Sequence, residues 1–513
     1  MQCIEAAPTK ASQSARWLPY GLGVLLVVVA LAYLPSLGGG FLNWDDPWLL
    51  ESNPMWQKPS VQVLWHIWTD LSPKTRHALG AEFLPVRDTS HFIEAWVTGI
   101  RPLPMRIVNL GLYLGALLAL HHALRKQLVG EGLALLATAA FALHPVHVES
   151  VAWLAGRKDV LAMLFGALAF RAYASRCGRF VLVTAFWFVL AMLSKSMSVV
   201  LPLLLPVLDL WAKRRPNVLA IGVSLLVVAL VMPIHIHVGQ MVGMTQSRAG
   251  GSIATSLATM GPVWLQYVQV LLWPPHCSLV HEVPTLVHFT LISAASYFTF
   301  VVAGLVAIHR WYRGQRLLFV VLALVVIPLL PVSQVLVPLQ NRMADRYLWW
   351  SVLGLAVLLA AVARRWPGIG VAAVLVILAF FTAVTAQRAG LFGDSALAFA
   401  DATHKTKQSP IGPYQWAMAL DERGEFEGAR WGFEEAWRRT EGQGEVARRA
   451  TNNLARLEFR LGNLDRAEQI LRRGLGHFPA DAKMRDNLTK VLARRQMSQP
   501  NGLEDFALEQ PGR

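Results

Sequence analysis

The sequence predicts an all-α protein: a polytopic helical membrane domain followed by a small α-solenoid. Three observations carry that prediction. Of the 513 residues, 54% are hydrophobic and only 15% are charged, far from the balance of a soluble domain. Apolar runs of about 15 to 22 residues, long enough to cross a hydrocarbon core of about 30 Å, recur from Trp17 to Ala386. After Gln387 the composition turns abruptly to Arg, Glu, Ala and Gly, and two matching segments follow 38 residues apart. The expected division is a cytoplasmic tail (1–16), a membrane domain (17–387) with large outer loops at 38–101 and 238–286, a linker (388–409), a repeat domain (410–495) and a disordered tail (496–513).

The first apolar run closes on no small-x-small site and further spans follow, so it reads as a retained span rather than a cleaved signal. The formal charge of +15 sits largely in short loops: Arg125 and Lys126; Arg176 and Arg179; Lys213 to Arg215; Arg310, Arg313 and Arg316; Arg364 and Arg365. That distribution reports topology and speaks against nucleic acid as a partner. With Lys10 and Arg16 inside, spans at about 17–37, 103–123 and 131–143 place the 144–159 segment at the outer edge. A fourth span returns to Arg176, and a hairpin around Lys195 returns to Lys213. If both 217–237 and 254–273 crossed, the Arg310–Arg316 cluster would fall outside, against the positive-inside rule. The 254–273 segment carries Gln266 and Gln269 and is therefore expected to be interfacial or re-entrant. Spans at about 287–308, 317–332, 347–362 and 367–386 complete about eleven crossings, with the C-terminal domain outside.

In the C-terminal domain, Gly424-Glu-Phe-Glu-Gly-Ala429 matches Gly462-Asn-Leu-Asp-Arg-Ala467, and Phe433 and Leu471 continue the correspondence. A glycine closing one helix and a small residue packing the next is the pattern of tetratricopeptide repeats. Two such repeats with a capping helix over about 481–494 offer a groove for a protein partner, or serve as a structural cap.

Polar chemistry accumulates in the outer segments. Asn43-Trp-Asp-Asp-Pro47 follows Gly38-Gly-Gly40. Adjacent carboxylates in a desolvated place repel, which raises one pKa and suits Asp45 or Asp46 to general-base work. The pair could also hold a divalent cation, or Asp46-Pro47 could simply open a helix. His144-Pro-Val-His147-Val-Glu149 could ligate a metal, support a polar network or touch substrate. Arg157, Lys158, Lys195, Arg342 and Arg346 are cations placed outside, where the orientation rule does not ask for them. They suit a lipid phosphate, although Lys158 or Arg157 could pair with Asp159, and Arg346 with Asp345.

These residues resemble the transmembrane and tetratricopeptide-repeat-containing O-mannosyltransferase-like family and its bacterial branch, within the GT-C class of glycosyltransferases. The match rests, in order, on Asn43-Trp-Asp-Asp46, on His144 to Glu149 running to Gly156-Arg-Lys-Asp159, on Met343-Ala-Asp-Arg-Tyr347 and on the repeats. Leu271-Leu-Trp-Pro274 is a weaker fifth piece. The resemblance implies a GT-C membrane domain in a bacterial inner membrane with a periplasmic active site, and a polyprenyl-phosphate-linked sugar, mannose-like, as donor. It implies Asp45 or Asp46 as the base in an inverting transfer to a protein hydroxyl or another extracytoplasmic acceptor. Arg342 and Arg346, with Arg157 or Lys158, would stabilise the leaving phosphate. His144, His147, Glu149, Asp159 and Asp345 would form the supporting network. No cofactor is firmly implied beyond the possible cation. The partners would be membrane lipids, the lipid-linked sugar and a protein at the repeats. The other reading is a non-enzymatic repeat-bearing scaffold for envelope or polysaccharide assembly.

Overall fold

The computed structural model describes residues 18–127, 130–243 and 247–497, so the expected tail 1–16 and nearly all of 496–513 lie outside the described residues. Every regular element among the described residues is helical. The chain divides into two compact units. The first comprises the chain up to Gly40, Trp48–Cys277 and Val283–Gly393. The second comprises Phe41–Pro47, Ser278–Glu282 and the chain from Asp394.

Among the described residues of the first unit, five helices are long and apolar enough to cross a membrane: Tyr20–Leu37, Pro102–Gln127, Val218–Met241, Leu291–Tyr312 and Ile369–Leu391. The other expected crossings fall on shorter or less apolar helices. Glu131–Ala142 has only 12 residues, about 18 Å at 1.5 Å per residue, because Pro145 follows it closely. The basic loops gather at one end of the bundle. Arg214 donates to the carbonyls of Lys126 (2.9 Å) and Ala174 (3.2 Å), Arg176 pairs with Asp209 at 2.5 Å, and Arg316 donates to the carbonyl of Leu210 at 3.4 Å. At the opposite end, buried Arg106 donates to the carbonyls of Ser36, Gly40 and Phe392. It thereby ties the end of the first helix to the start of Pro102–Gln127 and the end of Ile369–Leu391.

The segment expected to be interfacial forms the Ile253–Leu272 helix, closed at its start by a reciprocal Ser252–Thr255 capping box. Its first half packs on the start of the Leu291–Tyr312 helix, where Ser293 donates to Ala258 O (2.8 Å) and Ser296 to Gly261 O (2.7 Å). Its last turn accepts from His144. Both halves are therefore tied to elements at the end away from the basic loops, and the helix is not among those apolar enough to span.

The second unit is a series of antiparallel helices: Ser395–Lys405, Ile411–Glu422, Phe426–Arg439, Gly444–Arg460, Leu464–His477 and Ala482–Met497. Gly424 and Gly462 take φ of +76° and +79° at the turns, a left-handed conformation that favours glycine. Ala429 and Ala467, then Phe433 and Leu471, are fully buried at corresponding places. The stretch expected as a linker, 388–409, is helical over most of its length. Ile369–Leu391 runs into it, and Asp394 caps Ser395–Lys405 by accepting from the N–H groups of Ala396 (2.8 Å) and Leu397 (3.2 Å).

Candidate functional site

The end of the membrane unit away from the basic loops is built from the 144–159 segment. Pro145 stops the preceding helix, leaving His144 in a buried bend. His144 Nε2 lies 2.9 Å from the Leu271 carbonyl and its Nδ1 accepts from Val146 N at 3.2 Å. A carbonyl on one nitrogen and an N–H on the other are both satisfied only by the neutral ring with its proton on Nε2. Burial correspondingly pushes the His144 pKa down to about 4. His147 opens the short His147–Ala152 helix, with its ring against Phe141 (4.5 Å between centroids) and Tyr113 (5.8 Å). Glu149 is fully buried, accepts from the Arg346 backbone N–H at 2.9 Å and pairs with the Arg346 guanidinium. That guanidinium also lies over the rings of Trp153 and Tyr347. Burial works against its charge, and Glu149 beside it more than compensates, so its pKa is raised.

Gly156 holds the turn into the next helix, because a Cβ there would stand 2.6 Å from the Ser150 carbonyl oxygen. The next residues then diverge. Arg157 is fully buried and turns inward, its Nε donating to Asn109 Oδ1 (2.6 Å), one terminal nitrogen to Met105 O (2.9 Å) and the other pairing with Glu94. Lys158 is one-fifth exposed and reaches Glu82 at 2.5 Å. Asp159 pairs with Lys195 at 2.7 Å in nearly complete burial. Lys158, Lys195 and Arg346 thus interleave with Glu82, Asp159 and Glu149 in one cluster of alternating charge. Burial lowers the Lys195 pKa, against the pull of Asp159. Burial also opposes the charge of Glu82, yet Lys158, Arg87 and Lys195 hold its carboxyl at about 2.

The remaining candidates stand elsewhere. Asp345 pairs with Arg388 at 2.5 Å rather than with its neighbour Arg346, because Glu149 already takes that guanidinium. Arg342 is half-buried and donates to Val283 O (3.2 Å) and Thr285 Oγ1 (2.7 Å). Asp45 and Asp46 belong to the second unit. There, Asp46 is buried and its Oδ2 accepts from Leu42 N at 2.9 Å, closing a tight bend that leaves Asp45 partly exposed. The bend is fastened to the Ser395–Lys405 helix: Asn43 N donates to Ser395 Oγ at 2.9 Å, and Trp44 stacks on Phe399 at 5.6 Å. Glu282 is fastened in the same unit by accepting from the N–H groups of Lys407 and Gln408, each at 3.2 Å. Among the described residues, no three His, Cys, Asp or Glu side chains converge as a metal site requires.

Glu82 and Glu94 escaped the sequence reading, which named Lys195 among the outward cations but gave it no role by the resemblance. The outward cations were themselves a signal, since buried cations need counter-ions and the 38–101 loop holds few carboxylates.

No family model matches the chain, and no solved structure matches it. Among curated proteins, it is 33% identical over 177 residues to protein O-mannosyl-transferase TMTC1 of Mus musculus, covering 33% of this chain and 18% of that protein. The human TMTC1 protein gives 32% identity over 163 residues, 30% of this chain and 18% of the relative. Human protein O-mannosyl-transferase TMTC4 gives 28% over 222 residues, 38% of this chain and 30% of the relative. The match therefore spans less than a third of each of these relatives' own length.

Proposed function

We propose that this relative of the TMTC protein O-mannosyl-transferases is a membrane glycosyltransferase of GT-C type. It moves a mannose-like sugar from a polyprenyl-phosphate carrier to a hydroxyl of an extracytoplasmic protein or comparable acceptor. The observation that carries this reading is the sequence relationship to proteins named for that transfer, and the relationship does not favour the scaffold alternative. The gathering of Lys126, Arg176, Arg214 and Arg316 at one end of the bundle supports a cytoplasmic assignment for that end. The outer charge cluster then faces the periplasm, as does the point where the chain leaves the membrane unit at Gly393.

On the donor side, Lys158 and Arg346 are the partly exposed cations of the cluster. Their role is to take up the negative charge that appears on the carrier phosphate as the anomeric C–O bond breaks. Lys195 reinforces the field from behind, and Arg342 is a second phosphate contact. Arg157 is assigned a positioning role, since its donors are directed to Glu94, Asn109 and Met105. On the acceptor side, Asp45 is the base. Asp46 holds the bend through Leu42 N, and Asp45 is assigned to accept the proton of the acceptor hydroxyl in an inverting transfer. The helices from Ile411 onward are read as a short tetratricopeptide array that presents the acceptor.

The test compares glycopeptide profiles of exported and membrane proteins from cells carrying the wild type, Asp45→Asn or Asp46→Asn, at matched abundance. Loss of hexose-sized increments from defined peptides is expected for Asp45→Asn. An unchanged profile, together with no binding of polyprenyl-phosphate mannose by the purified protein, overturns the proposal.

A further inference from the structure

Neither the charge cluster nor the packed interior accounts for an apolar face on the first outer segment. In the Val61–Thr69 helix, Val61, Trp65 and Trp68 are 83%, 67% and 42% exposed, at the i, i+4, i+7 spacing that puts them on one side. In the Pro85–Val97 helix, Ile93, Trp96 and Val97 are 51%, 73% and 68% exposed. The opposite faces of both helices are already used: Val63, Phe92 and Ala95 pack against Ile67, Trp56 and Leu79.

The two exposed stripes meet. Trp68 Nε1 donates to Thr89 Oγ1 at 3.0 Å, and Thr89 precedes Ile93 and Trp96 by one and two helical turns on the same side. No charged side chain interrupts them, because Arg87, Asp88, His91 and Glu94 are all buried. The stripe is also continuous with the spanning surface. Val97 leads within five residues into the Pro102–Gln127 helix, whose Leu103 and Ile107 are exposed as well. The helices have 9 and 13 residues, or about 14 and 20 Å, too short to cross a core of about 30 Å.

Tryptophan at the end of a span, on helices too short to cross, is the chemistry of the headgroup level, where the ring is buried and the indole N–H stays wet. We infer that these two helices form a platform lying in the bilayer surface, with Trp65, Trp68 and Trp96 seated in it. The occupant of the apolar face is lipid. The seat has a consequence for the charge cluster, because Glu94 follows Ile93 directly and holds Arg157, the residue before Lys158. The platform therefore sets the depth of Lys158 relative to lipid headgroups.

The test uses the full chain in vesicles of phosphatidylcholine and phosphatidylglycerol. Trp65→Cys, Trp96→Cys and, as a smaller change, Val61→Cys are labelled one at a time with an environment-sensitive fluorophore. The signal of identically treated unsubstituted protein is subtracted. Three quenchers are compared: a lipid nitroxide close to the headgroup, one near the acyl terminus, and a water-soluble nitroxide. Exposed Lys58→Cys and Phe298→Cys, in the Leu291–Tyr312 span, serve as aqueous and mid-span references. Platform sites should be quenched several-fold more by the headgroup-proximal lipid than by the other two, at a depth of about 5–10 Å. Quenching that follows the aqueous reference overturns the inference. So does quenching that follows the mid-span reference, or protection from all three reagents, which would mean that a protein covers the face.

Discussion

In the membrane unit, Arg157–Glu94, Lys195–Asp159 and Arg388–Asp345 are shut away from water, with both side chains of each pair at most 8% exposed. In the second unit, Arg466–Glu434 stands in water, with side chains 45% and 49% exposed. The residue types are the same and the energetics are opposite. A buried pair forfeits hydration that its attraction barely recovers, yet losing one partner strands a charge. An exposed pair trades solvation for little. The comparison teaches where to look for purpose: three costly pairs at one end of a bundle specify geometry there, whereas an exposed pair such as Arg466–Glu434 specifies little.

The largest effect should come from stranding a buried charge. Glu94→Gln is expected to destabilise the membrane unit by about 3–5 kcal/mol, read as a fall in its calorimetric transition in detergent. Replacing both partners by Glu94→Leu with Arg157→Met should recover most of that loss. If the double variant is no better than the single, the buried pair contributes net stability and the contrast fails.

Acidification should separate the regions next. Burial holds the folded pKa of His91 and His144 down to about 4, below the ordinary 6.5. The unfolded chain therefore binds protons first, and stability of the membrane unit is lost as pH falls from about 6.5 to about 4. In the second unit, hydrogen bonds from Arg438 and Arg448 hold Glu435 and Glu445 at about 2, below the ordinary 4.5. Their contribution is present above about 4.5 and lost only as pH falls toward 2. Calorimetry against pH should show the first unit responding before the second. Simultaneous loss would remove the distinction.

A smaller effect is expected at the fastening of the acidic bend. Ser395→Ala removes the acceptor of Asn43 N and should cost about 1 kcal/mol; on the proposed function it also lowers sugar transfer, by misplacing Asp45 without touching it. Unchanged transfer by glycopeptide analysis would show that the bend holds itself. Smallest of all, Glu434→Gln should shift stability by less than about 1 kcal/mol, with a response to salt smaller still.

How much of this was legible follows from the range of the interactions. The long apolar runs, the glutamines that interrupt the apolar pattern of 253–272 and the glycine and alanine positions 38 residues apart are local patterns. Such patterns announce themselves. The partners of the buried cations do not: Glu94 is 63 residues from Arg157 and Glu82 is 76 from Lys158, and only tertiary packing brings them together. The helix at Ser395–Lys405 carried a readable signal in its Asp394 cap, but the polar composition after Gln387 masked it as a linker. For the acidic pair, the sequence offered the residues and even the capping alternative. It could not offer the far side of the bend, since Asn43 meets Ser395 across 352 positions.

That last separation has a meaning for biosynthesis. A ribosome adding about 5–20 residues per second needs roughly 20–70 s to travel from Asn43 to Ser395. Throughout that interval the segment bearing Asp45 exists without the helix that shapes it. A nascent chain is therefore born without a finished acidic bend, which closes only once the Ser395–Lys405 helix has been made.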